Sequence, residues 1–165
     1  MSFAVQYQID LLTKEGGEGI FPGDCILANH PEAGGSHLPD VTCITPVFDE
    51  AGKKIIFFTA SRAHHADIGG ISAGSMPPHS HSIYEEGAQI KSFKVVSKGE
   101  FDRKGLVYHF CEAPAKYPGC SGSRCFRDVE SDIRAQIAAN HKGVNLIHGL
   151  VDEWGLETVQ NVSGY

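Results

Sequence analysis

Two stretches dominated by apolar residues, Val41–Phe48 and Lys54–Ser61, carry the clearest secondary-structure signal in the chain. Both are rich in β-branched and aromatic side chains, which favour strands. The residues between them, Asp49–Lys53, include a glycine and suit a hairpin loop. Antiparallel pairing would return the chain to its starting point, so we expect Asp40, before the first strand, beside residues 62–67, at the end of the second.

Helical periodicity of apolar residues marks both ends of the chain. Near the start, Val5, Ile9 and Leu12 recur at the spacing of one helical face and predict a helix over Phe3–Leu12. Near the other end, Arg127–Trp154 shows the same periodicity over a much longer stretch. The predicted inward side of this long helix consists of Ile133, Ile137, Val144, Ile147 and Val151.

Shorter elements complete an α+β pattern. Apolar runs predict strands at Asp24–Ala28 and Ile90–Val96, and a short helix is predicted at Lys104–Cys111. Two stretches rich in Gly, Pro and polar residues, Asn29–Asp40 and Ile68–Ser82, are predicted as loops, and a loop as long as the second is usually functional. The expected fold is therefore α+β, with an antiparallel sheet based on the hairpin and a long carboxy-terminal helix.

The composition narrows the class of protein. With 165 residues, 41% of them hydrophobic, the chain is long enough for one core, and nothing calls for a second domain. A net charge of −6 without a Lys/Arg cluster argues against a nucleic-acid or anionic-membrane surface, since both need a concentrated basic face. No apolar run approaches the roughly 20 residues of a membrane span, and the first residues lack the basic and apolar regions of a secretory leader. We therefore expect a cytoplasmic protein that acts on a small molecule.

The five cysteines, an odd number without the close pairing of a zinc finger, are expected to be reduced thiols. Cys25 and Cys43 lie in predicted strands and are expected in the core. Cys120 and Cys125 lie in a polar segment rich in Gly and Ser, which leaves a metal or redox role open for them.

Imidazole and carboxylate groups come together in Gly-rich segments at the two ends of the predicted hairpin. His37 and Asp40 are close enough in sequence for a tight turn to aim both at one ion, and His64 is expected beside them. His65 would face the opposite way in an extended strand, so only one of the two adjacent histidines is expected to bind the ion, with His65 or Asp67 supporting the ligands. Such a set suits Zn²⁺, Mn²⁺ or Fe²⁺, which activate water or polarise carbonyls. Ordinary loop hydrogen bonding is the alternative.

The glycine pairs within these segments, Gly34-Gly35 and Gly69-Gly70, allow two interpretations. Backbone N–H groups at such glycines can approach an oxyanion or phosphate, in the arrangement called a nest. Plain turn glycines are the commoner case.

Seven segments, spread in order over almost the whole chain, resemble one known family. They are GD at 23–24, NHP at 29–31, GGSHLPD at 34–40, ASRAHHADIGG at 60–70, GSMPP at 74–78, EEG at 85–87 and DIRAQIAAN at 132–140. The family they resemble is hydantoinase B/5-oxoprolinase, and the resemblance covers the amino-terminal portion of its much longer modules. NHP at 29–31 and PGCSGSR at 118–124 look most like the eukaryotic-type 5-oxoprolinases.

The resemblance implies a reaction divided between two modules. A hydantoinase A-like module outside this chain would bind ATP and phosphorylate the lactam oxygen of 5-oxo-L-proline, and the B module would complete hydrolysis to L-glutamate. No phosphate-binding loop ending in Lys followed by Ser or Thr occurs in the chain, which agrees with ATP binding elsewhere. Residues 1–165 would be part of one B-type domain, in a full-length protein expected to be a homo-oligomer that recycles 5-oxoproline in glutathione metabolism.

Polar residues within the matching motifs are assigned to the active site. The candidate metal ligands are His37, Asp40 and His64. The candidate catalytic residues are Asp24, Arg62, His65 and Asp67.

Two other classes of protein remain open on sequence alone. A stand-alone metal-dependent cyclic-amide hydrolase of the hydantoin type would need a complete metal site here and activity without ATP. A non-catalytic truncated remnant or assembly piece would bind metal or a partner without turnover.

Overall fold

The computed structural model describes residues 1–75 and 77–163 and confirms the α+β fold. The strands are β1 (Cys25–Ala28), β2 (Asp40–Phe48), β3 (Ile55–His64), β4 (Phe93–Ser97) and β5 (Glu100–Phe101). They form one antiparallel sheet in the order β3-β2-β1-β4-β5. The α-helices of the described residues are α1 (Ser2–Thr13), α2 (Arg103–Val107), α3 (Phe126–Trp154) and α4 (Leu156–Ser163).

The predicted hairpin is confirmed as β2 and β3. The two strands pair antiparallel from Asp40 opposite His64 to Phe48 opposite Ile55, with one irregularity close to the connecting loop. The long pairing follows from the β-branched and aromatic side chains of both strands, which pack well on a pleated surface. The two ends of the hairpin therefore meet, as the sequence pattern predicts.

The sheet lies between α1 and α3. Neighbouring residues of the central strand β1 point to opposite faces, so Leu27 joins the core on the α3 side and Ile26 joins the core on the α1 side. The larger core, on the α3 side, includes the fully buried Val41, Phe110 and Ile133. The two helices thus cover the central strands, and the candidate site residues lie at or near the strand ends.

Helix α1 has bounds close to those predicted but buries a different face. The prediction placed Val5, Ile9 and Leu12 inward, whereas the structure buries Ala4, Gln8 and Leu12 and leaves the other two partly exposed. The side-chain amide of Gln8 donates a hydrogen bond of 2.8 Å to a backbone carbonyl of the segment before β4. This polar contact accompanies an inward position of Gln8, which apolar periodicity alone does not predict.

Helix α3 confirms the predicted long helix, and its contact with the sheet is partly polar. Ile133 is fully buried, and Gln136 and Asn140, which the prediction did not place inward, are also buried. Their amide groups donate to backbone carbonyls of β2 at 3.1 and 2.9 Å, using the second lone pair of oxygens within the sheet. The other residues of the predicted inward side are only partly buried: Ile137, Val144, Ile147 and Val151.

The strand predicted at Ile90–Val96 begins later, at Phe93. The N–H group of Ile90 donates instead to the side-chain oxygen of Asn29 at 2.7 Å, so this N–H is not used in strand pairing. The helix predicted at Lys104–Cys111 divides into α2 and a π-helical turn over Tyr108–Glu112. Local hydrogen bonds thus move the element boundaries by a few residues.

The predicted loop Ile68–Ser82 has neither helix nor strand among its described residues, apart from an isolated bridge between Gly69 and Gly87. Met76, which belongs to this loop and to the GSMPP motif, lies outside the described residues. None of the helices in the described ranges combines the length and the apolar character of a membrane span.

All five cysteines are free thiols, as predicted. Cys25 and Cys43 are buried in the core, which confirms the sequence prediction for this pair. Cys125 is exposed at the start of α3, and the half-buried Cys120 donates to the backbone oxygen of Tyr84 at 3.5 Å.

Candidate metal centre

Asp40, the first residue of β2, lies between two imidazole rings. Its Oδ2 is 3.1 Å from Nδ1 of His37, and its Oδ1 is 3.0 Å from Nδ1 of His64. The centroids of the two rings are 5.0 Å apart. One possible ligand atom from each residue lies within 4.8 Å of the others, so the three side chains converge on one small volume. We call these three residues the His–Asp cluster.

Two local features of the chain bring the His–Asp cluster together. The hairpin register places Asp40 opposite His64, and a tight turn, in which the Asp40 N–H donates to the His37 carbonyl at 3.0 Å, adds the third residue. The side chain of His64 is 47% exposed and that of Asp40 is 21% exposed. An ion or small molecule can therefore reach the cluster from solvent.

The surroundings of Asp40 keep its carboxyl group ionised. Burial by itself raises the pKa of this group, but hydrogen bonds from Ser36 and His64, together with the charges of His37 and His64, outweigh burial. The pKa of Asp40 therefore lies below the ordinary value for an aspartate. The ionised carboxylate is the form that binds a metal ion.

Ser36 and Arg62 hold the Asp40 carboxylate in place. The Ser36 hydroxyl donates to Oδ2 of Asp40 at 2.8 Å, and Nη1 of Arg62 donates to the Ser36 oxygen at 3.4 Å. Arg62 also donates from Nη2 to the Gly34 carbonyl at 3.0 Å and from Nε to the Thr42 hydroxyl at 2.8 Å. One guanidinium thus connects β2, β3 and the loop that carries the first histidine of the cluster.

Replacing Arg62 with Met should weaken the binding of Mn²⁺ or Zn²⁺ by about 10- to 100-fold, although every ligand remains. The loss arises because the loop and the Ser36 hydroxyl are no longer oriented toward Asp40. Isothermal titration calorimetry with the metal ion alone measures the change. The matched control is Arg103→Met, since Arg103 makes an exposed ion pair with Glu130 and should leave the affinity unchanged. Wild-type affinity in Arg62→Met would contradict this role.

Gly34 and Gly35 form a turn, and their N–H groups are not available for an anion. Gly34 donates to the Pro31 carbonyl at 3.0 Å, and Gly35 donates to the His30 carbonyl at 3.1 Å. Gly34 has a φ of 81°, and a Cβ on Gly35 would lie 2.0 Å from the backbone oxygen of Asn29. Only glycine permits this backbone path. The turn interpretation therefore holds for this pair.

The donor set of the His–Asp cluster fits a divalent transition ion. Two ligand atoms that each lie about 2.1 Å from one ion are about 3.0–3.4 Å apart at usual bond angles. The two Nδ1–carboxylate separations, 3.0 and 3.1 Å, agree with this range, and they are also the lengths of ordinary hydrogen bonds. Two imidazoles and one carboxylate also leave coordination positions open for water or substrate.

His65 points away from the His–Asp cluster and into the core. Its side chain is 1% exposed, and Nε2 lies 3.1 Å from the side-chain oxygen of Gln136 on α3. Burial lowers the pKa of His65, although the hydrogen bond to Gln136 opposes this effect. The two adjacent histidines thus face opposite sides of β3, as predicted, and His65 makes a buried contact with the long helix.

Asp67 and Asp24, two further candidates, are buried carboxylates that form ion pairs outside the cluster. Asp67 is bound by the Arg124 guanidinium at 2.8 Å and by the N–H of the same residue at 2.8 Å. Asp24 lies 2.9 Å from Nζ of Lys94 and is 1% exposed. It precedes β1, at the end of that strand opposite to the Asp40 end. The structure therefore does not bring either carboxylate into the cluster.

Sequence reasoning did not single out Ser36 or Asn29, which the structure places around the site. Asn29 is fully buried, and its amide donates to the Leu38 carbonyl at 2.7 Å and to the Ala88 carbonyl at 2.8 Å. These hydrogen bonds connect the loop that carries His37 to the segment before β4. The available signals were their positions in the motifs NHP at 29–31 and GGSHLPD at 34–40.

Comparison with known proteins places the chain in a family. The sequence profile described as Hydantoinase B/oxoprolinase matches residues 1–165. The 5-oxoprolinase of Saccharomyces cerevisiae is 55% identical over 138 residues, which make up 84% of this chain and 11% of that protein. The 5-oxoprolinase 1 of Arabidopsis thaliana is 50% identical over an alignment of 167 positions, which covers 100% of this chain and 13% of that protein. The chain thus spans only a small part of the length of these relatives.

A solved structure supports the same placement. The ATP-dependent caprolactamase from Pseudomonas jessenii matches 96% of this chain and 24% of its own chain, with a TM-score of 0.74 and 28% identity. The fold and the sequence thus agree, and the chain belongs to the hydantoinase B/oxoprolinase family.

Proposed function

We propose that this chain is part of an ATP-dependent 5-oxoprolinase, an enzyme that hydrolyses 5-oxo-L-proline to L-glutamate. The main support is its identity of 55% and 50% to two proteins named 5-oxoprolinase. The His–Asp cluster adds chemical support, because amide hydrolysis needs a group that activates water or the acyl carbon. Residues 1–165 would then be part of one hydantoinase B-type domain in a longer protein.

In this proposal His37, Asp40 and His64 hold one divalent ion, which is Mn²⁺, Zn²⁺ or Fe²⁺. Such an ion supplies Lewis-acid chemistry, which polarises a carbonyl or lowers the pKa of water. The chain's own residues do the positioning: Asp40 lies against both imidazoles, and Ser36 and Arg62 orient its carboxylate. The exposed side of His64 leaves the cluster open to a small substrate.

Among the residues predicted to be catalytic, Arg62 is the one that we propose to act on this site, as a positioning residue. Its hydrogen bond to Ser36, which in turn donates to the cluster, supports that role. Asp24, His65 and Asp67 stay predictions as catalytic residues, and each makes buried contacts away from the cluster.

ATP would be bound by a hydantoinase A-like module outside this chain. Transfer of a phosphoryl group to the lactam oxygen would remove the amide resonance and leave an acyl carbon that water attacks readily. The likeness to an ATP-dependent caprolactamase supports this division. We also propose a cytoplasmic location, a homo-oligomeric full-length protein and a role in recycling 5-oxoproline during glutathione metabolism.

A chimera tests this function directly. The segment of the S. cerevisiae 5-oxoprolinase that aligns with this chain is replaced by the chain itself, and glutamate formation from 5-oxo-L-proline is measured with and without ATP. We expect ATP-dependent glutamate release that falls by at least about 100-fold when the chimera carries His64→Ala. The chain alone should release no glutamate under either condition, because the lactam is never activated.

Three outcomes would favour other functions. A chimera that folds and binds metal but hydrolyses only hydantoins would contradict the substrate assignment. Glutamate release by the lone chain without ATP, abolished by His64→Ala, would support the stand-alone cyclic-amide hydrolase. Metal binding without any turnover in the folded chimera would support the non-catalytic piece.

A further inference from the structure

The two buried cysteines of the central strands make a contact that the proposed reaction does not use. The Sγ atoms of Cys25, on β1, and Cys43, on β2, are 2.9 Å apart. This distance exceeds the length of a disulfide bond, about 2.05 Å, by only about 0.9 Å. Both side chains lie in the core on the α3 side and are 2% and 0% exposed. The two sulfur atoms are thus close enough for a small movement to bring them to disulfide-bond distance.

The strand register explains why the two thiols meet. Cys43 lies opposite Leu27, and Cys25 is two residues earlier on the same face of β1. The two cysteines are therefore diagonal neighbours across an antiparallel pair, and the twist of the strands brings one diagonal closer together. The remaining gap between the two sulfur atoms, about 0.9 Å, is on the scale of a side-chain rotation.

The surroundings make the two thiols unequal and favour Cys25 as the nucleophile. The hydrogen bond shared with Cys43 lowers the pKa of Cys25 in spite of burial, and the Thr45 hydroxyl, which donates to Sγ of Cys25 at 3.3 Å, acts in the same direction. The same hydrogen bond, together with burial, raises the pKa of Cys43. Thr45 is only partly buried, and we expect a small oxidant to reach Cys25 past this side chain.

We propose that Cys25 and Cys43 are a reversible oxidation site, which forms an intrachain disulfide between β1 and β2 when the protein meets hydrogen peroxide. The Cys25 sulfur attacks one peroxide oxygen, the O–O bond breaks, and the other oxygen leaves as water with the thiol proton. The Cys43 sulfur then attacks the resulting sulfenic acid, the S–O bond breaks, and a second water carries away the Cys43 proton. Two thiols and one peroxide thus become one disulfide and two waters, and a thiol reductant reverses the change.

The disulfide would have a measurable effect on stability. It closes the segment between the two cysteines, which also carries His37 and Asp40, and a closed loop lowers the entropy of the unfolded chain. For a loop of this length in a chain of this size, we expect the Tm to rise by about 5–10 °C on oxidation.

Thiol counting and peptide mapping test the site in the full 165-residue chain. After treatment with hydrogen peroxide, denaturation and alkylation, three alkylated thiols are expected where the reduced chain has five. Residues 15–53 contain no Lys or Arg before Lys53, so trypsin leaves both cysteines in one peptide. The oxidised peptide carries no alkyl group and is two hydrogen masses lighter than the unalkylated reduced peptide. A glutamate-specific protease then cuts after Glu32, between the two cysteines, and the two fragments that carry them separate only on reduction with dithiothreitol.

Three variants complete the test. A chain carrying Cys111→Ala, Cys120→Ala and Cys125→Ala together should keep the lighter peptide and the rise in Tm. The single variants Cys43→Ala and Cys25→Ala should lose both. An unchanged peptide mass in the oxidised wild type, or in the triple variant, would overturn the proposal, as would a rise in Tm that persists in Cys43→Ala.

Discussion

Replacing Asp40 with Asn should lower the affinity of the chain for Mn²⁺ and Zn²⁺ by about 100-fold or more. The substitution removes the anionic ligand whose oxygens lie 3.1 and 3.0 Å from the Nδ1 atoms of His37 and His64. The amide that replaces it is a neutral and weaker ligand. A 100-fold loss corresponds to about 2.8 kcal/mol of binding free energy. Isothermal titration calorimetry with each metal ion alone measures it at constant pH.

The control for this prediction is Asp152→Asn, which makes the same chemical change at an exposed position near the end of α3. It should bind metal as the wild type does. His37→Ala and His64→Ala should lose affinity to a similar degree as Asp40→Asn. Equal affinities for the wild type and Asp40→Asn, in chains with the same thermal stability, would rule out the His–Asp cluster as the metal site.

Replacing Ile133 with Asp should lower the free energy of unfolding by at least about 4 kcal/mol. Ile133 is fully buried in the larger core, where α3 packs on the sheet. The change removes apolar packing and places an unpaired carboxylate in an apolar environment, and both effects act in the same direction. Urea denaturation followed by circular dichroism measures the loss, and most of the chain should be unfolded without denaturant if its total stability is ordinary.

The matched control is Leu146→Asp, which makes an apolar-to-acidic change on the same helix. Leu146 is 57% exposed, so the expected loss is below about 1 kcal/mol and comes mainly from helix propensity. Similar denaturation curves for Ile133→Asp and the wild type would mean that α3 does not pack on the sheet through this residue.

The His–Asp cluster could be expected from the sequence because its geometry depends on one hairpin. The apolar runs on both sides of a short loop determine that β2 and β3 pair, and the loop length sets the register that places Asp40 opposite His64. His37 follows from a tight turn of a few residues. These are local properties, so a sequence pattern carries enough information to predict them.

The inward faces of the helices were less predictable. Apolar periodicity pointed to Val5 and Ile9 on α1, but Gln8 is the residue that the structure buries. On α3, Gln136 and Asn140 are buried because backbone carbonyls of β2 accept their hydrogen bonds. Burying a polar side chain is unfavourable unless a hydrogen-bond partner is present, and apolar periodicity does not reveal that partner.

By itself, the sequence determined the α+β class, the hairpin and the meeting of its ends, since each depends on side-chain alternation, helical period and loop length over short distances. Only the tertiary structure decided what each polar residue of the motifs does. Asp67 pairs with Arg124, and His65 contacts Gln136, because a later loop and the long helix pack against the end of the hairpin. These partners lie far away in sequence. A carboxylate or imidazole that loses water on burial must gain a hydrogen-bond donor or acceptor from the protein, and tertiary packing determines which one is within reach.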